Sequence, residues 1–140
     1  MPSIVLRLMS SAHRFLYRLT HGVIGGRMLG VSILLLTTVG RKSGRQRTTP
    51  LMFGSDGDRL ILIASKGGAP EHPLWYTNLK AQPDVEVLVR GDQRSLRARD
   101  ATAEERPRLW RLMADQYKGY DQYQKKTARE IPVVVLEPRA

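Results

Sequence analysis

Four cations lie within seven residues of one another, in a stretch of the chain that is rich in glycine and hydroxyl groups: Arg41, Lys42, Arg45 and Arg47, between Thr37 and Pro50. Glycine lets the backbone come close to a ligand and turn its N–H groups inward, while cations and hydroxyls donate charge-assisted hydrogen bonds. The stretch is therefore a candidate site for phosphate or carboxylate oxygens. Taken alone, it is equally compatible with a solvated basic hairpin loop.

A second stretch, Ser65–Pro70, repeats this chemistry with a hydroxyl, a cation and paired glycines. Both stretches follow runs of strand-forming residues, so both are read as loops at strand ends. Because strand ends of one sheet often meet in space, we expect the two loops to form one basic groove lined with glycine.

Several motifs, in this order along the chain, resemble the deazaflavin-dependent nitroreductase and F420H2-dependent quinone reductase family: Thr38–Pro50, Ala64–Pro70, Trp75–Ala81 and Ile131–Pro138. The resemblance covers nearly everything from about residue 25 to residue 138. It implies a split β-barrel related to FMN-binding barrels. It also implies an enzyme that uses the reduced deazaflavin coenzyme F420 to reduce quinones, nitroaromatics and other activated acceptors.

The resemblance implies a set of coenzyme contacts on the two loops and beyond them. The residues expected around the phosphate and the glutamate tail are Arg41, Lys42, Ser43, Gly44, Arg47, Lys66 and Gly67, with Gly68 beside them. Those expected nearer the ring are Thr48, Pro50, Ser65 and Trp75. The coenzyme is long and strongly anionic, which suits cationic loops.

Three tyrosines, Tyr117, Tyr120 and Tyr123, recur at every third residue, a spacing that fans them over one side of a helical segment. Core packing is one interpretation, and an aromatic wall over a flat ring is the other. The resemblance implies that they border the acceptor pocket, with Ser65 and Tyr120 as catalytic donors to the reduced acceptor. Met52, assigned to the same pocket, stands where some members carry tyrosine, which weakens the case for nitro reduction more than for quinone reduction.

Length and composition place limits on the function. A chain of 140 residues fits one domain with one core, and it contains no cysteine, which excludes disulfides, thiolate metal sites and cysteine nucleophiles. The three histidines are not in ligand spacing, so no metal site is expected. The net charge of +10 is uneven, since residues 1–55 carry eight cations and no acid, which predicts an anionic partner.

Three alternatives to an F420-dependent reductase stay open. FMN-dependent split-barrel reductases or oxidases also bind a flat ring and a phosphate. A non-catalytic basic protein that binds nucleic acid or a membrane surface would also explain the charge. Nucleic acid is not the expected partner, because the aromatic residues cluster away from the basic loop instead of alternating with its cations.

Residues 4–19 project as an amphipathic helix with arginines opposite an apolar face, and residues 1–22 are assigned to it. Its apolar face is expected to dock either on the barrel or on anionic lipid. No run reaches the roughly 18 apolar residues of a membrane span, and no signal-peptide cleavage pattern is present. We therefore expect a cytoplasmic enzyme with a peripheral contact at the inner face of the cell membrane.

Residues 23–140 are assigned to the coenzyme-binding barrel, which makes the fold class α+β, mainly β, with flanking helices. The predicted strands are Val31–Thr38, Arg47–Phe53, Arg59–Ala64, Asp84–Val89, Arg94–Ala101 and Ile131–Leu136. A short helix is expected within His72–Pro83. A second is expected over Ala103–Gln116, with Thr102 and Glu105 as a capping box.

Overall fold

The computed structural model describes residues 27, 28 and 31–139, and within them eight strands and three helices. The assigned helix over residues 1–22 lies outside this range, and its boundary with the barrel stays a prediction. The strands are β1 (Arg27–Met28), β2 (Val31–Val39), β3 (Gln46–Met52), β4 (Gly54–Asp56), β5 (Arg59–Ile63), β6 (Asp84–Val89), β7 (Asp92–Asp100) and β8 (Val133–Pro138). The helices are α1 (Leu74–Ala81), α2 (Arg106–Gln116) and α3 (Gly119–Lys126).

The strands close into a small antiparallel barrel. Strand β2 pairs with β1, β3 and β6, and the order then continues through β7, β8 and β5 to β4. Strands β3 and β4 are separated by Phe53 alone, and while β3 pairs with β2, β4 pairs with β5. The ladders thus form a circuit, and the predicted split β-barrel of α+β class is confirmed.

Two apolar clusters fill the molecule. The larger lies inside the barrel, where alternate residues of β6 are buried, together with Phe53 and the inner face of α1. The smaller is formed by β5 and β8 with α2 and α3, and includes Leu109, Met113 and Tyr120. A sheet that is apolar on both faces needs cover on both, and these helices supply it on the outer face.

Most predicted elements are present, with shifted ends. The strand over 84–89 is as predicted, and the capping box of α2 is formed by reciprocal bonds between Thr102 and Glu105, at 2.9 and 3.2 Å. The regular helix begins at Arg106, not Ala103, because the intervening residues form the turn that this box closes.

Two local predictions need correction. The turn between β6 and β7 is Arg90–Gly91, where both residues have positive φ, 52° and 78°, and Asp92 already pairs with Val89, so β7 begins at Asp92 and not at the predicted Arg94. This pattern is a two-residue hairpin loop. The strand predicted to end at Phe53 also continues as β4 beyond it. None of the described helices is both long and apolar enough to cross a membrane.

Candidate active site

The loop between β2 and β3, residues 40–45, is folded tightly by its own hydrogen bonds. The amide of Gly40 donates to the Arg45 carbonyl at 2.7 Å, and that of Gly44 to the Gly40 carbonyl at 2.8 Å. Gly44 has φ of 71°, and a Cβ on Gly40 would lie 2.7 Å from the Ser43 hydroxyl oxygen. Gly44 thus needs the backbone freedom of glycine, and the tight turn leaves Gly40 little room for a side chain; this loop geometry holds the cations on its rim.

The predicted cations on this loop point to solvent. Arg41, Lys42, Arg45 and Arg47 are all exposed, and none forms an ion pair with a described carboxylate. By contrast, Arg59, Arg99 and Arg139 of the barrel all pair with acids. Four cations without counterions attract an anion from solution, since no internal pair has to be broken first.

The loop is anchored to α1 by a residue that sequence reasoning did not single out. Asn78 is 6% exposed; its side-chain oxygen accepts from the Arg41 amide at 3.1 Å, and its nitrogen donates to the Thr38 hydroxyl at 3.5 Å. In the sequence, Asn78 stands out as a polar residue on the apolar face of the helix, three positions after Trp75 and one before Leu79. A buried amide at such a position needs partners.

The Ser65–Pro70 turn has a backbone of unusual handedness. Ser65 is in the right-handed helical region, whereas Lys66, Gly67 and Gly68 follow with φ of 47°, 64° and 84°. A right-handed residue followed by a left-handed one turns successive amides into a concavity that binds anions. The amides of Lys66 and Gly67 have no acceptor among the described residues, so they are available to one.

This turn packs against α3, the helix that carries Tyr120 and Tyr123, whereas Tyr117 lies in the extended link between α2 and α3. A Cβ on Gly68 would lie 2.9 Å from the Tyr123 carbonyl oxygen, and the Lys126 ammonium donates to the Gly67 carbonyl at 3.3 Å. The Lys66 ammonium lies 3.0 Å from Glu71, in a pair that is about half exposed. The second glycine is therefore required by contact with α3.

The three tyrosines form one aromatic group. Their ring centroids are 5.2 to 6.4 Å apart, and the hydroxyls of Tyr117 and Tyr123 are hydrogen-bonded at 3.0 Å. Tyr120 is 3% exposed, and its hydroxyl has no hydrogen-bond partner among the described residues. Burial raises the pKa of Tyr120, so its phenol stays a proton donor at neutral pH. Met52 packs against the smaller apolar cluster, which includes Tyr120.

The other residues predicted to lie near the coenzyme ring, Trp75, Thr48 and Pro50, are in the barrel core or on β3. Trp75 is 8% exposed and belongs to the barrel core. The Thr48 hydroxyl is hydrogen-bonded to that of Thr37 at 2.8 Å, and Pro50 is exposed on β3 opposite Leu35. No hydrogen bond between described residues joins the two loops directly. Each loop adjoins α1 or the segment leading into it. The prediction that the two loops line one groove therefore stays a prediction.

Comparison with known proteins gives concordant matches. A family model described as F420H(2)-dependent quinone reductase matches residues 9–138. An F420H(2)-dependent quinone reductase of Mycobacterium tuberculosis is 43% identical over 131 residues, which cover 91% of this chain and 88% of that protein. A solved F420-H2 dependent reductase (FDR-A) is 43% identical, with a TM-score of 0.70 over 75% of this chain and 93% of that one. A structure described as a domain-swapped dimer is 39% identical, with a TM-score of 0.71 over 98% of this chain and all of that one.

Proposed function

Because this chain belongs to the F420H(2)-dependent quinone reductase family, we propose that its two cationic, glycine-containing loops hold the anionic part of coenzyme F420. The activity is that of the family: an F420H2-dependent oxidoreductase that passes a hydride from the reduced deazaflavin to a quinone. When bound, the coenzyme supplies that hydride, and the protein supplies binding, orientation and charge stabilisation.

One observation carries the assignment of the loops. The chain presents exposed cations without carboxylate partners among the described residues on residues 41–47, and an anion-binding backbone turn at Ser65–Gly67. A phosphodiester and a glutamate tail are separate anionic groups, and two separate cationic loops match them. In this proposal the side chains of Arg41, Lys42, Arg47 and Lys66 pair with anionic oxygens, while the amides of Lys66 and Gly67 donate to one of them.

The rest of the loop residues shape the groove. Ser43 and Gly44 belong to the tight turn that presents the cations, and Gly68 brings the second loop against α3. Thr48, Pro50 and Trp75 are proposed for the ring end, with Trp75 acting from the core. We assign these roles from the family resemblance and from the position of each residue beside the loops.

We assign the acceptor side to the aromatic group of Tyr117, Tyr120 and Tyr123, together with Met52. Reduction of a quinone places negative charge on its oxygen, and a hydrogen-bond donor in a water-poor site stabilises that charge. Tyr120 has a buried ring and an uncommitted hydroxyl among the described residues, and Ser65 lies on the turn that packs against α3. Both are proposed as donors. Nitroaromatic acceptors are proposed as poorer substrates, because methionine at position 52 offers no phenol.

Titration with the two candidate coenzymes tests the proposal. We expect F420 to bind in the micromolar range or tighter, and FMN much more weakly, when coenzyme fluorescence is followed as protein is added. The matched variant is Arg41→Ala, which should weaken F420 binding if the loop is the site. Equal or better affinity for FMN would overturn the coenzyme assignment and favour an FMN-dependent barrel enzyme.

A peripheral contact with the anionic inner face of the cell membrane completes the proposal. Its support is the sequence of residues 1–22, which predicts a helix with arginines opposite an apolar face. A membrane quinone as acceptor would suit such a contact, because the substrate is itself held in lipid. The proposed assignment of residues 23–140 to the barrel leaves this segment available for it.

A further inference from the structure

Arg129, between α3 and β8, contacts the Ser65–Pro70 turn on the side of its backbone carbonyls. Its guanidinium donates to three backbone carbonyls, those of Ala69 at 2.9 Å, Ser65 at 2.8 Å and Ala64 at 3.2 Å. A further N–H is directed at His72 Nδ1, at 3.0 Å. One half-buried side chain is therefore hydrogen-bonded to both ends of the turn.

The turn needs these hydrogen bonds because its backbone conformation is unfavourable. Lys66 has φ of 47°, and a non-glycine residue in the left-handed region is strained, so it persists only where the surrounding structure holds it there. Within the turn itself, two hydrogen bonds between described residues offset this strain, from the amides of Gly68 to Ser65 and of Ala69 to Lys66, at 2.9 and 3.1 Å. Arg129 adds three more, and all of them hold carbonyls.

Fixing the direction of a backbone carbonyl also fixes the direction of the amide N–H in the same peptide group. In a planar trans peptide the C=O and the N–H point in opposite directions, and none of the described peptide bonds is cis. A guanidinium that fixes the carbonyls of Ala64 and Ser65 thereby turns the amides of Ser65 and Lys66 away from itself. The Lys66 amide is one of the two proposed above to donate to the anion, and the Ser65 amide opens the same concavity.

We infer that Arg129 is a positioning residue that sets the anion-binding geometry of the Ser65–Pro70 turn without touching the coenzyme. The inference rests on the proposed function, because it assigns a ligand to the amides that Arg129 orients. Lysine cannot replace it, since one ammonium has no planar fork with which to reach three carbonyls and an imidazole.

His72 supports the same geometry. Arginine only donates, so the Nδ1 that faces it must be the unprotonated nitrogen of a neutral imidazole. Burial, reinforced by the charge of Arg129, lowers the pKa of His72, while Asp100 acts in the opposite direction. The imidazole also packs against the Tyr76 ring of α1, with the ring centroids 4.8 Å apart and the planes tilted by 53°.

Arg129 also couples the turn to the tyrosine helix. Gln124 of α3 donates to the Arg129 carbonyl at 2.8 Å and accepts from the Ile131 amide at 2.9 Å. The helix that carries the proposed acceptor wall and the turn that carries the proposed anion site are therefore held by adjacent residues. A change at position 129 should loosen the coenzyme site first, because it is the carbonyls of the turn that lose their donor.

The test compares Arg129→Gln and Arg129→Lys with a matched control, Arg106→Gln. Arg106 likewise donates to a backbone carbonyl, that of Ile131 at 2.8 Å, but among the described residues it forms no hydrogen bond to the turn. Three quantities are measured on the full chain: the F420 dissociation constant by fluorescence, the melting temperature, and hydrogen exchange of the Gly68 and Ala69 amides without coenzyme.

We expect Arg129→Gln to raise the dissociation constant at least tenfold and to speed exchange at Gly68 and Ala69 at least tenfold. Arg129→Lys should lie between this variant and the parent, and Arg106→Gln should stay within twofold of the parent in both measurements. If Arg129→Gln does not fold, the lysine variant decides by the same two measurements.

Parental affinity and parental exchange in a folded Arg129 variant would overturn the inference, as would equal losses in Arg129→Gln and Arg106→Gln. Failure of the proposed function looks different. A parent protein that does not bind F420 refutes that function, and with it the ligand assigned to the turn. Exchange at Gly68 and Ala69 would then still report whether Arg129 holds the backbone.

Discussion

The side-chain oxygen of Asn78 accepts a hydrogen bond from the backbone amide of Arg41 at 3.1 Å, across 37 residues of sequence. Asn78 is 6% exposed and lies on α1, the helix whose inner face belongs to the larger apolar cluster. The rigid interior of the barrel therefore extends through Asn78 to a loop whose residues 41–45 are exposed. A loop that carries the proposed anion-binding cations is thus held by the core, which limits the entropy that its ordering on binding would cost.

Asn78→Leu should weaken F420 binding about fivefold, because the loss of a neutral hydrogen bond costs about 1 kcal/mol and frees the loop. Thr77→Ala is the matched control, since that hydroxyl bonds to the Leu74 carbonyl within α1. Fluorescence titration measures both affinities. Equal affinities for the two variants would show that the anchor does not matter for binding.

Arg41→Ala and Lys66→Ala should each weaken F420 binding roughly ten- to hundredfold, since each removes a charge-assisted contact of about 1.5–3 kcal/mol. Arg111→Ala on α2 removes an equally exposed cation, paired with Asp115 at 3.8 Å, and should leave binding unchanged. The titrations are run at moderate salt, where diffuse attraction is screened. If both loop variants bind like the parent, the groove lies elsewhere.

Local patterns predicted the parts of this fold that depend on near neighbours. The alternation in residues 84–89 specifies β6 because each residue there is either inside or outside the barrel. The glycines of the two loops marked backbone that only glycine adopts easily. The continuation of β3 into β4 was missed, because the change of pairing partner at Phe53 depends on where β2 and β5 lie.

The missed site residues act across long separations. Asn78 and Arg129 are each linked to backbone groups between 37 and 65 residues away, and nothing in their own neighbourhood in the sequence indicates those partners. The residues predicted for the site were surface cations and glycines, whose chemistry is visible locally. The residues that hold them are buried polar groups, whose partners are defined by the fold.

Tyr120→Phe should lower turnover with a quinone roughly ten- to hundredfold while leaving F420 affinity nearly unchanged. A hydrogen bond to developing negative charge is worth about 1.5–3 kcal/mol, and the raised pKa of Tyr120 keeps the phenol protonated. Tyr76→Phe is the control, because it removes a hydroxyl that bonds to Asp100 at 2.9 Å, outside the aromatic group. Unaltered steady-state rates for Tyr120→Phe would leave that residue as packing alone.

The folded state should lose stability in acid, because arginine partners favour the ionised form of two carboxylates, Asp56 and Glu105. Hydrogen bonding to Arg108, and then to Arg59, lowers the pKa of Asp56 to about 2. Arg99 first, and then the Thr102 amide, lower the pKa of Glu105 to about 2. A carboxylate whose pKa is lowered in the folded state stabilises the fold above its unfolded pKa, near 4. That contribution is lost as the pH falls from about 4.5 towards 2.

Glu105→Gln should therefore cost about 1 kcal/mol at pH 7 and flatten the loss of stability between pH 4.5 and 2. The neighbouring Glu104→Gln is the control, because Glu104 is exposed and forms no ion pair with a described residue. Melting temperatures across this pH range measure the effect. Parallel curves for the parent and Glu105→Gln would show that the ion pairs of Glu105 do not set acid stability.

The first twenty residues should bind anionic lipid. Arg7, Arg14 and Arg18 project opposite an apolar face that includes Leu8 and Phe15, and each arginine near an anionic surface contributes about 1 kcal/mol. That attraction falls as salt rises, whereas burial of the apolar side chains in the lipid interface does not respond to salt in the same way. A helix docked on the barrel would behave differently, since its apolar face would already be covered.

Co-sedimentation with vesicles separates these cases, using the full chain and a version that lacks residues 1–20, against anionic and neutral vesicles at low and high salt. We expect the full chain to sediment with anionic vesicles at low salt, to release partly as salt rises, and to bind neutral vesicles weakly. The shortened chain should stay in solution while keeping its melting temperature and its affinity for F420. If the full chain instead stays in solution with anionic vesicles at low salt and the shortened chain melts earlier, the segment is part of the folded core and the membrane contact is wrong.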